Sequence, residues 1–409
     1  MNNKIKVAVV TLGDSRKDFF LSRINIVNDE LQKLKETLGE KYDLYMPDIV
    51  YDIEEGQMAS DEIIKRGIKS VIIHIPIWGS PNLALRIAYS TDLPVLLLGN
   101  KRPDSSSIVC LLAVAGMLEQ SGKKCIRVAG DIRDEAVYKK VENFIAACNL
   151  VDVISRSSFG LIGGRSIGIG TTVADPSQWQ KIFGTEFDHC DQYEVVYRAK
   201  QISQERVQKH LNWLKSNIPN IEFGGLFTED SLERQVRSYL ALKDIVHDRK
   251  YTFLGLKCQQ ELSDYFALQC ISVALLNNNY DADGPKEVIP TACESDCDGA
   301  MTMKLLSICS GNQPTNLVDI KFFDKDKKEF ILANCGSIAF YFADPEDPCK
   351  AMDKLSLLPH VFGKADIDYD KFFHTMNSNH LHTVYGSYSE VLKLFCDMKG
   401  IEFICYNNK

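Results

Sequence analysis

No apolar run in this 409-residue chain approaches the roughly 18 residues that span a membrane, so a membrane-spanning helix is not expected. Positive charge is not in excess: the formal net charge of −8 leaves no basic footprint for nucleic acid. The opening MNNKIKVAVVTLG enters a strand pattern directly and carries neither a cleavage site nor an amphipathic transit pattern, from which a cytoplasmic protein is expected. With no export signal, the 13 cysteines read as reduced thiols. Most, including Cys110, Cys148, Cys270 and Cys309, lie in apolar runs where Cys behaves as a small hydrophobe. There is no Cys-x-x-Cys pair, Cys293 and Cys297 are four apart and Cys190 is isolated, which argues against structural zinc. No Gly-x-Gly-x-x-Gly follows the first strand, where the turn reads LGDSR, so a dinucleotide role is not expected. Internal repeats and low-complexity segments are absent as well.

What is present is an ordinary globular composition, 45% apolar and 25% charged, in a chain long enough for two or three domains. Over residues 1–155, KVAVVTL, SVIIHIP, LPVLLLG and KCIRVAG are continuous apolar runs typical of parallel strands buried on both faces. Helical stretches at 16–39, about 59–67, about 82–90, 107–121 and 133–149 separate them, which predicts an open doubly wound sheet. A second α/β domain is expected over 156–287, with helices at 198–215 and 229–248. A C-terminal mixed or antiparallel β domain is expected over 288–409, with alternating strands LVDIKFFD and EFILANCG and a strand–helix–strand close. The fold class is therefore α/β, two layered domains with mainly parallel sheets plus a β-rich C-terminal part.

The chemistry concentrates in YTFLGLKCQQELSDYFALQCISVALLNNNYDADGPKEVIPTACESDCDGAMTM. YTFLGL and EVIPTAC read as short buried strands, followed by Glu261 and by Glu294 with Asp296. Ligands bind at the carboxyl ends of strands in such layered domains. Carboxylates gathered there repel by about 4 kcal/mol per pair at ~4 Å and an effective dielectric near 20. A proton or a divalent cation relieves that repulsion. Strand side chains two apart share a face, which pairs Glu294 with Asp296 and, if NHLHTVY is a strand, His380 with His382. Acidic groups plus an imidazole suit manganese or a similar octahedral ion. Each residue also has a structural reading: Glu261 as a helix-dipole partner, Asp296 as an N-cap, His380 as a satisfied buried histidine. In FGLIGGRSIGIGTT, Arg165 sits among glycines that let backbone approach a ligand, or is simply solvated.

Four blocks resemble the L-fucose/L-arabinose isomerase superfamily, most closely the short fucose isomerase-like proteins. They are GGRSIGIGTTVADPSQWQKIFGTEFDHCDQYEVVYRA, LKCQQELSDYF, PTACESDCDGAMTM and SNHLHTVYG, with LANCGS as a weaker fifth. The resemblance implies a metal-dependent aldose–ketose isomerase in which Glu261, Asp296 and His380 hold Mn2+ or another divalent cation. It also implies a homo-oligomer, hexamer or trimer, whose pocket is shared between subunits. Glu261 and Asp296 become the proton carriers acting through a cis-enediol(ate) of an open-chain sugar. Glu294, His382, Arg165, Lys257, Trp78 and Asn334 become substrate contacts, with Lys257, Arg165, Lys101 and Arg102 available to an anionic group. Two departures stand out: Asn334 where many relatives have His, and apolar Val273 where the classical enzymes place their catalytic Glu. A deoxy- or sulfo-sugar such as fucose or sulfoquinovose is the expected substrate. The competing readings are a non-catalytic carbohydrate-binding or regulatory protein and a metal-dependent aldolase.

Overall fold

The computed structural model describes residues 4–225, 227–324, 329–334, 336–347, 350–357, 361–365, 378 and 380–406. The chain forms two compact units, residues 1–152 with 390–403 and residues 153–389 with 404–409. The sheets that the sequence reading assigns to 156–287 and 288–409 both fall in the second unit.

The first unit is a five-stranded parallel sheet of β1 (Lys6–Thr11), β2 (Asp43–Tyr45), β3 (Ser70–Ile75), β4 (Val95–Gly99) and β5 (Cys125–Ala129), in the order β2-β1-β3-β4-β5. Strand side chains alternate between faces, so each run splits into two sets. Ala8, Val10, Ile73 and Leu97 pack with Leu83, Ile87, Leu111 and Val114 from the helices Pro81–Thr91 and Ser107–Gln120. Val7, Val9, Ile72 and Leu96 pack with Leu34, Leu38, Phe144 and Ile145 from the helices Ile24–Gly39 and Glu135–Ser155. Both faces are thereby covered, which is why the runs carry no polar alternation. Asp52 caps the helix Ile53–Lys65 by accepting from the Glu55 amide, so that helix begins earlier than the expected 59. The edge strand β2 was not anticipated.

The second unit opens with a four-stranded parallel sheet: β6 (Ser158–Ile162), β7 (Glu186–Cys190), β8 (Phe253–Leu256) and β9 (Thr291–Cys293), in the order β9-β8-β6-β7. The expected helix over 198–215 is two helices, Gln192–Gln201 and Gln204–Asn217, because Ser203 caps a new start by accepting from the Arg206 amide. A four-stranded antiparallel sheet follows: β10 (Asn316–Asp324), β11 (Glu329–Asn334), β12 (Val361–Ala365) and β13 (His380–Thr383), in the order β12-β11-β10-β13. The α/β class with a C-terminal antiparallel sheet therefore holds. The closing strand expected over 401–406 does not form. The helix before it, Ser389–Lys399, forms as expected, and Met398 packs into the core of the first unit. Among the described residues, no helix is long and apolar enough to cross a membrane.

Candidate functional site

The site lies in the second unit, where β9 turns into the helix Cys297–Cys309 and that helix packs against β13. The turn is made by Glu294 and Ser295, both in the left-handed region with φ of 57° and 56°. Two such residues in succession cost on the order of 1–3 kcal/mol each and persist only where surroundings enforce them. The Ser295 amide donates to the Leu256 carbonyl at 3.1 Å and the Cys297 amide to the Thr172 carbonyl at 3.0 Å, which holds the turn from both sides. Asp296 then caps the helix, accepting from the Gly299 amide at 2.9 Å.

The antiparallel pairing of β13 with β10 sets His380 opposite Asp319 and His382 opposite Leu317. Both imidazoles consequently meet the helix start. His380 is 2% exposed and sits between two carboxylates. Its Nδ1 is 2.7 Å from Asp296 Oδ2, and its Nε2 is 3.1 Å from Glu294 Oε2 and 3.7 Å from Asp319 Oδ1. Burial opposes a charge on this ring, but the hydrogen bonds to Asp296 and Glu294 outweigh it and raise the pKa to about 10. The ring is an imidazolium that donates from both nitrogens. Burial likewise works against the Asp296 carboxylate, yet the His380 and Gly299 donors hold its pKa below the usual value. His382 is the opposite case: burial lowers its pKa to about 4, so it is neutral. Its Nε2 lies 3.7 Å from Asp296 Oδ2 and has no hydrogen-bond partner among the described residues.

Asp296, His380, His382 and Gly299 line a cavity of about 510 Å3 together with Thr171, Val173, Asp298, Thr302 and Ser378. Asp298 was missed by sequence reasoning. It is open to the cavity, but the surrounding walls desolvate it and push its pKa up, against a 3.3 Å hydrogen bond from the Trp179 indole. A carboxyl whose pKa is pushed up beside one whose pKa is held down is a pairing suited to dividing acid and base work. The signal available was its place two residues after Asp296 in ESDCDG.

The remaining expected residues are distributed as follows. Glu261 opens the short helix Glu261–Tyr265 and pairs with Lys257 at 2.7 Å, with its side chain about half exposed. That hydrogen bond holds its pKa below the usual value. Among the described contacts, none joins Glu261 to Asp296 or His380. Lys257 follows β8 directly, and its Cβ would lie 2.9 Å from any Cβ at Gly163, whose φ of +92° also favours glycine. A second cavity of about 470 Å3, lined by Gly163, Gly164, His189, Cys190, Asp191 and Gln192, opens on this carboxyl edge. Arg165, just beyond it, is exposed. Asn334 is buried and its amide is engaged in a turn, donating to the Leu317 carbonyl and accepting from Gly336 and Ser337. Trp78 belongs to the first unit, packed against its core, as do Lys101 and Arg102. Val273 is a core residue. Cys335 and Asn379, included in two of the sequence blocks, lie outside the described residues.

The pocket suits a divalent cation on two observations. His382 Nε2 is a buried, neutral, unpartnered donor atom beside the Asp296 carboxylate. Gly299 leaves the space between them open: a Cβ there would fall 2.4 Å from both Asp296 Oδ2 and His382 Nε2. Carboxylate and imidazole donors of this kind suit manganese, iron or zinc.

Residues 5–154 match the family described as L-fucose isomerase, first N-terminal domain. A sulfoquinovose isomerase of Alkalicoccus urumqiensis is 19% identical over 259 residues, covering 62% of this chain and 56% of that protein. An L-fucose isomerase of Bacteroides fragilis is 21% identical, covering 60% of this chain and 48% of that protein. One from Streptococcus pneumoniae is 22% identical over 65% of this chain and 50% of that protein. The chain thus spans about half the length of these curated relatives. A solute-binding protein of Actinobacillus succinogenes with bound D-allose aligns at 13% identity over 75% of this chain and 92% of that one, with a TM-score of 0.20, too low to carry an argument. The family match and the relatives support placing the chain in the fucose isomerase-like superfamily.

Proposed function

We propose, from the premise that this is a fucose isomerase-like protein, that it interconverts an aldose and a ketose with the help of a divalent cation in the Asp296 pocket. The observation that carries the reading is the convergence of Asp296, His380 and the unpartnered His382 on one cavity, with Glu294 bonded to His380. Asp296, His382, His380 and Glu294 would hold the ion, with His380 yielding the protons it now shares with the two carboxylates. When bound, such an ion polarises the sugar carbonyl and stabilises negative charge on its oxygen.

The chain's own residues supply the rest. Moving a hydrogen between C1 and C2 of an open-chain sugar requires one group to remove a proton from carbon and another to return it. Glu261, kept ionised by Lys257, is the proposed base; the sequence reading had it as one of two proton carriers. Asp298 is the proposed acid, in place of Asp296, which the sequence reading had as the second proton carrier. Asp296 is committed instead to the helix cap and to His380. Thr302 would contact a sugar oxygen, and Arg165 and Lys257 a terminal anionic group; the sequence reading had His382 among the substrate contacts. The substrate proposed is a 6-deoxy or 6-sulfo hexose, and a shared pocket in a homo-oligomer of this chain belongs to the same proposal.

The test is a panel of aldoses, including 6-deoxy and 6-sulfo hexoses, incubated with protein and Mn2+ in D2O. Interconversion with deuterium at C2 and no fragments is expected. Fragment release would indicate aldol cleavage instead. Absence of turnover on every aldose, with sugar binding unaffected by EDTA, would identify a binding protein.

A further inference from the structure

We propose that His210, Asp281 and Asp283 form a second divalent-cation site, separate from the Asp296 pocket and independent of its role. His210 lies on the helix Gln204–Asn217, and the two aspartates on a small hairpin whose strands are Tyr280–Asp281 and Gly284–Pro285. The three side chains offer donor atoms that all lie within 4.8 Å of one another.

The acidic pair alone would say little, but His210 adds an independent observation. Its side chain is 0% exposed, yet its Nε2 has no hydrogen-bond partner among the described residues. The other ring nitrogen, Nδ1, is 3.0 Å from the Arg206 carbonyl, an acceptor only, so Nδ1 carries the proton. Nε2 therefore presents a lone pair, aimed at Asp283 Oδ2 at 3.7 Å and Asp281 Oδ2 at 4.0 Å. A buried lone pair facing two carboxylate oxygens with no hydrogen between them is an arrangement that calls for a cation. A tetrahedral ion with bonds near 2.0–2.1 Å spaces its ligands about 3.4 Å apart, roughly 0.3 Å closer than Nε2 stands to Asp283 Oδ2 and roughly 0.6 Å closer than it stands to Asp281 Oδ2. Holding the second nitrogen on a backbone carbonyl is also how metal-binding histidines are oriented.

Positive charge at the cluster now comes from Lys243, whose Nζ is 2.7 Å from Asp281 Oδ2 and 2.9 Å from Asp283 Oδ2. Lys209 also reaches Asp283, through the other oxygen at 2.7 Å. The Lys243 ammonium bridges the two carboxylates but leaves Nε2 unmatched. A divalent ion would satisfy all three atoms by displacing it, and Asp283, about two-fifths exposed, provides the open side for entry. Tyr239 and the Asp283 amide orient the Asp281 carboxylate from the protein side. The chemistry of the set, one imidazole and two carboxylates, fits zinc, cobalt or manganese rather than calcium.

The test counts Co2+ bound per chain, with its visible absorption reporting nitrogen ligation. The background is Asp296→Asn/His380→Gln, which disables the other pocket, so failure there does not bear on this site. One Co2+ per chain is expected in that background. It should be lost, or weakened more than about tenfold, on adding His210→Gln or the surface-accessible Asp283→Asn. Lys243→Met should tighten it, because the competing ammonium is gone. No Co2+ bound in the background, or binding unchanged by both His210→Gln and Asp283→Asn, would overturn the proposal. Asp283→Asn keeps the test decisive if His210→Gln does not fold.

Discussion

Two carboxylate–histidine clusters in the same compact unit balance their charge in opposite ways. At the Asp296 pocket, both nitrogens of His380 face carboxylates, and the ring itself becomes the cation. At the hairpin, a backbone carbonyl claims one nitrogen of His210, and Lys243 carries the positive charge instead. What a histidine does is thus decided by the partner of its second nitrogen. The difference also sets the competitor that an incoming ion must displace: protons on His380 in one case, an ammonium in the other.

The comparison breaks most sharply at Asp296. Asp296→Asn keeps a capping side chain but removes the charge facing His380, and turnover should fall roughly 10²–10⁴-fold with the melting curve little changed. Full activity would remove Asp296 from the site. Gly299→Ala comes next. Its added carbon lands between Asp296 and His382, and steady-state kinetics should show a loss of about 10²-fold with far-UV circular dichroism retained. Wild-type rates in that variant would mean the gap has no use.

A smaller effect distinguishes the two glutamates. Glu294→Gln should weaken Mn2+ retention by more than about tenfold, whereas Glu261→Gln should lower kcat and leave metal content unchanged. The reverse result would restore Glu261 to the ligand set that the sequence resemblance implied. The smallest effect concerns a third histidine that faces no carboxylate. His74 in the first unit is fully buried with Thr11 Oγ1 at 3.0 Å, and burial lowers its pKa from 6.5 to about 3. Between those values the unfolded chain binds the extra proton, so the stability it contributes is complete above pH 6.5 and is lost as pH falls toward 3. That term is a few kcal/mol at most. In His74→Leu the acid side of a plot of denaturation midpoint against pH should be flatter. An unchanged slope would show that His74 does not titrate with unfolding.

The sheet of the first unit was legible because its strands β1, β3 and β4 are buried on both faces and so are written as largely apolar runs, which β5, half-buried at the edge, extends less cleanly. The three-residue β2 escaped because an edge strand that short leaves no pattern. Asp296 and His380 were legible as a pair only through family resemblance, since 84 residues separate them and the register of β13 on β10 brings them together. Glu261 illustrates the limit. Its position after a strand suggested a ligand, but a lysine four residues earlier, on the same side of the turn, engages it. Asp298 stayed hidden because its environment comes from Trp179, far away in sequence.

The first unit is completed by residues 390–403, which follow residues 153–389 of the second unit in the sequence. Val391 and Phe395 of the helix Ser389–Lys399 are buried, and Met398 contacts the same core as Val7 and Val9, so strands near residue 8 are covered by a helix from beyond the second unit's sheets. Domains usually finish folding in the order they are synthesised. Here the sheet of the first unit keeps part of its apolar face uncovered until residues 390–403 have been synthesised.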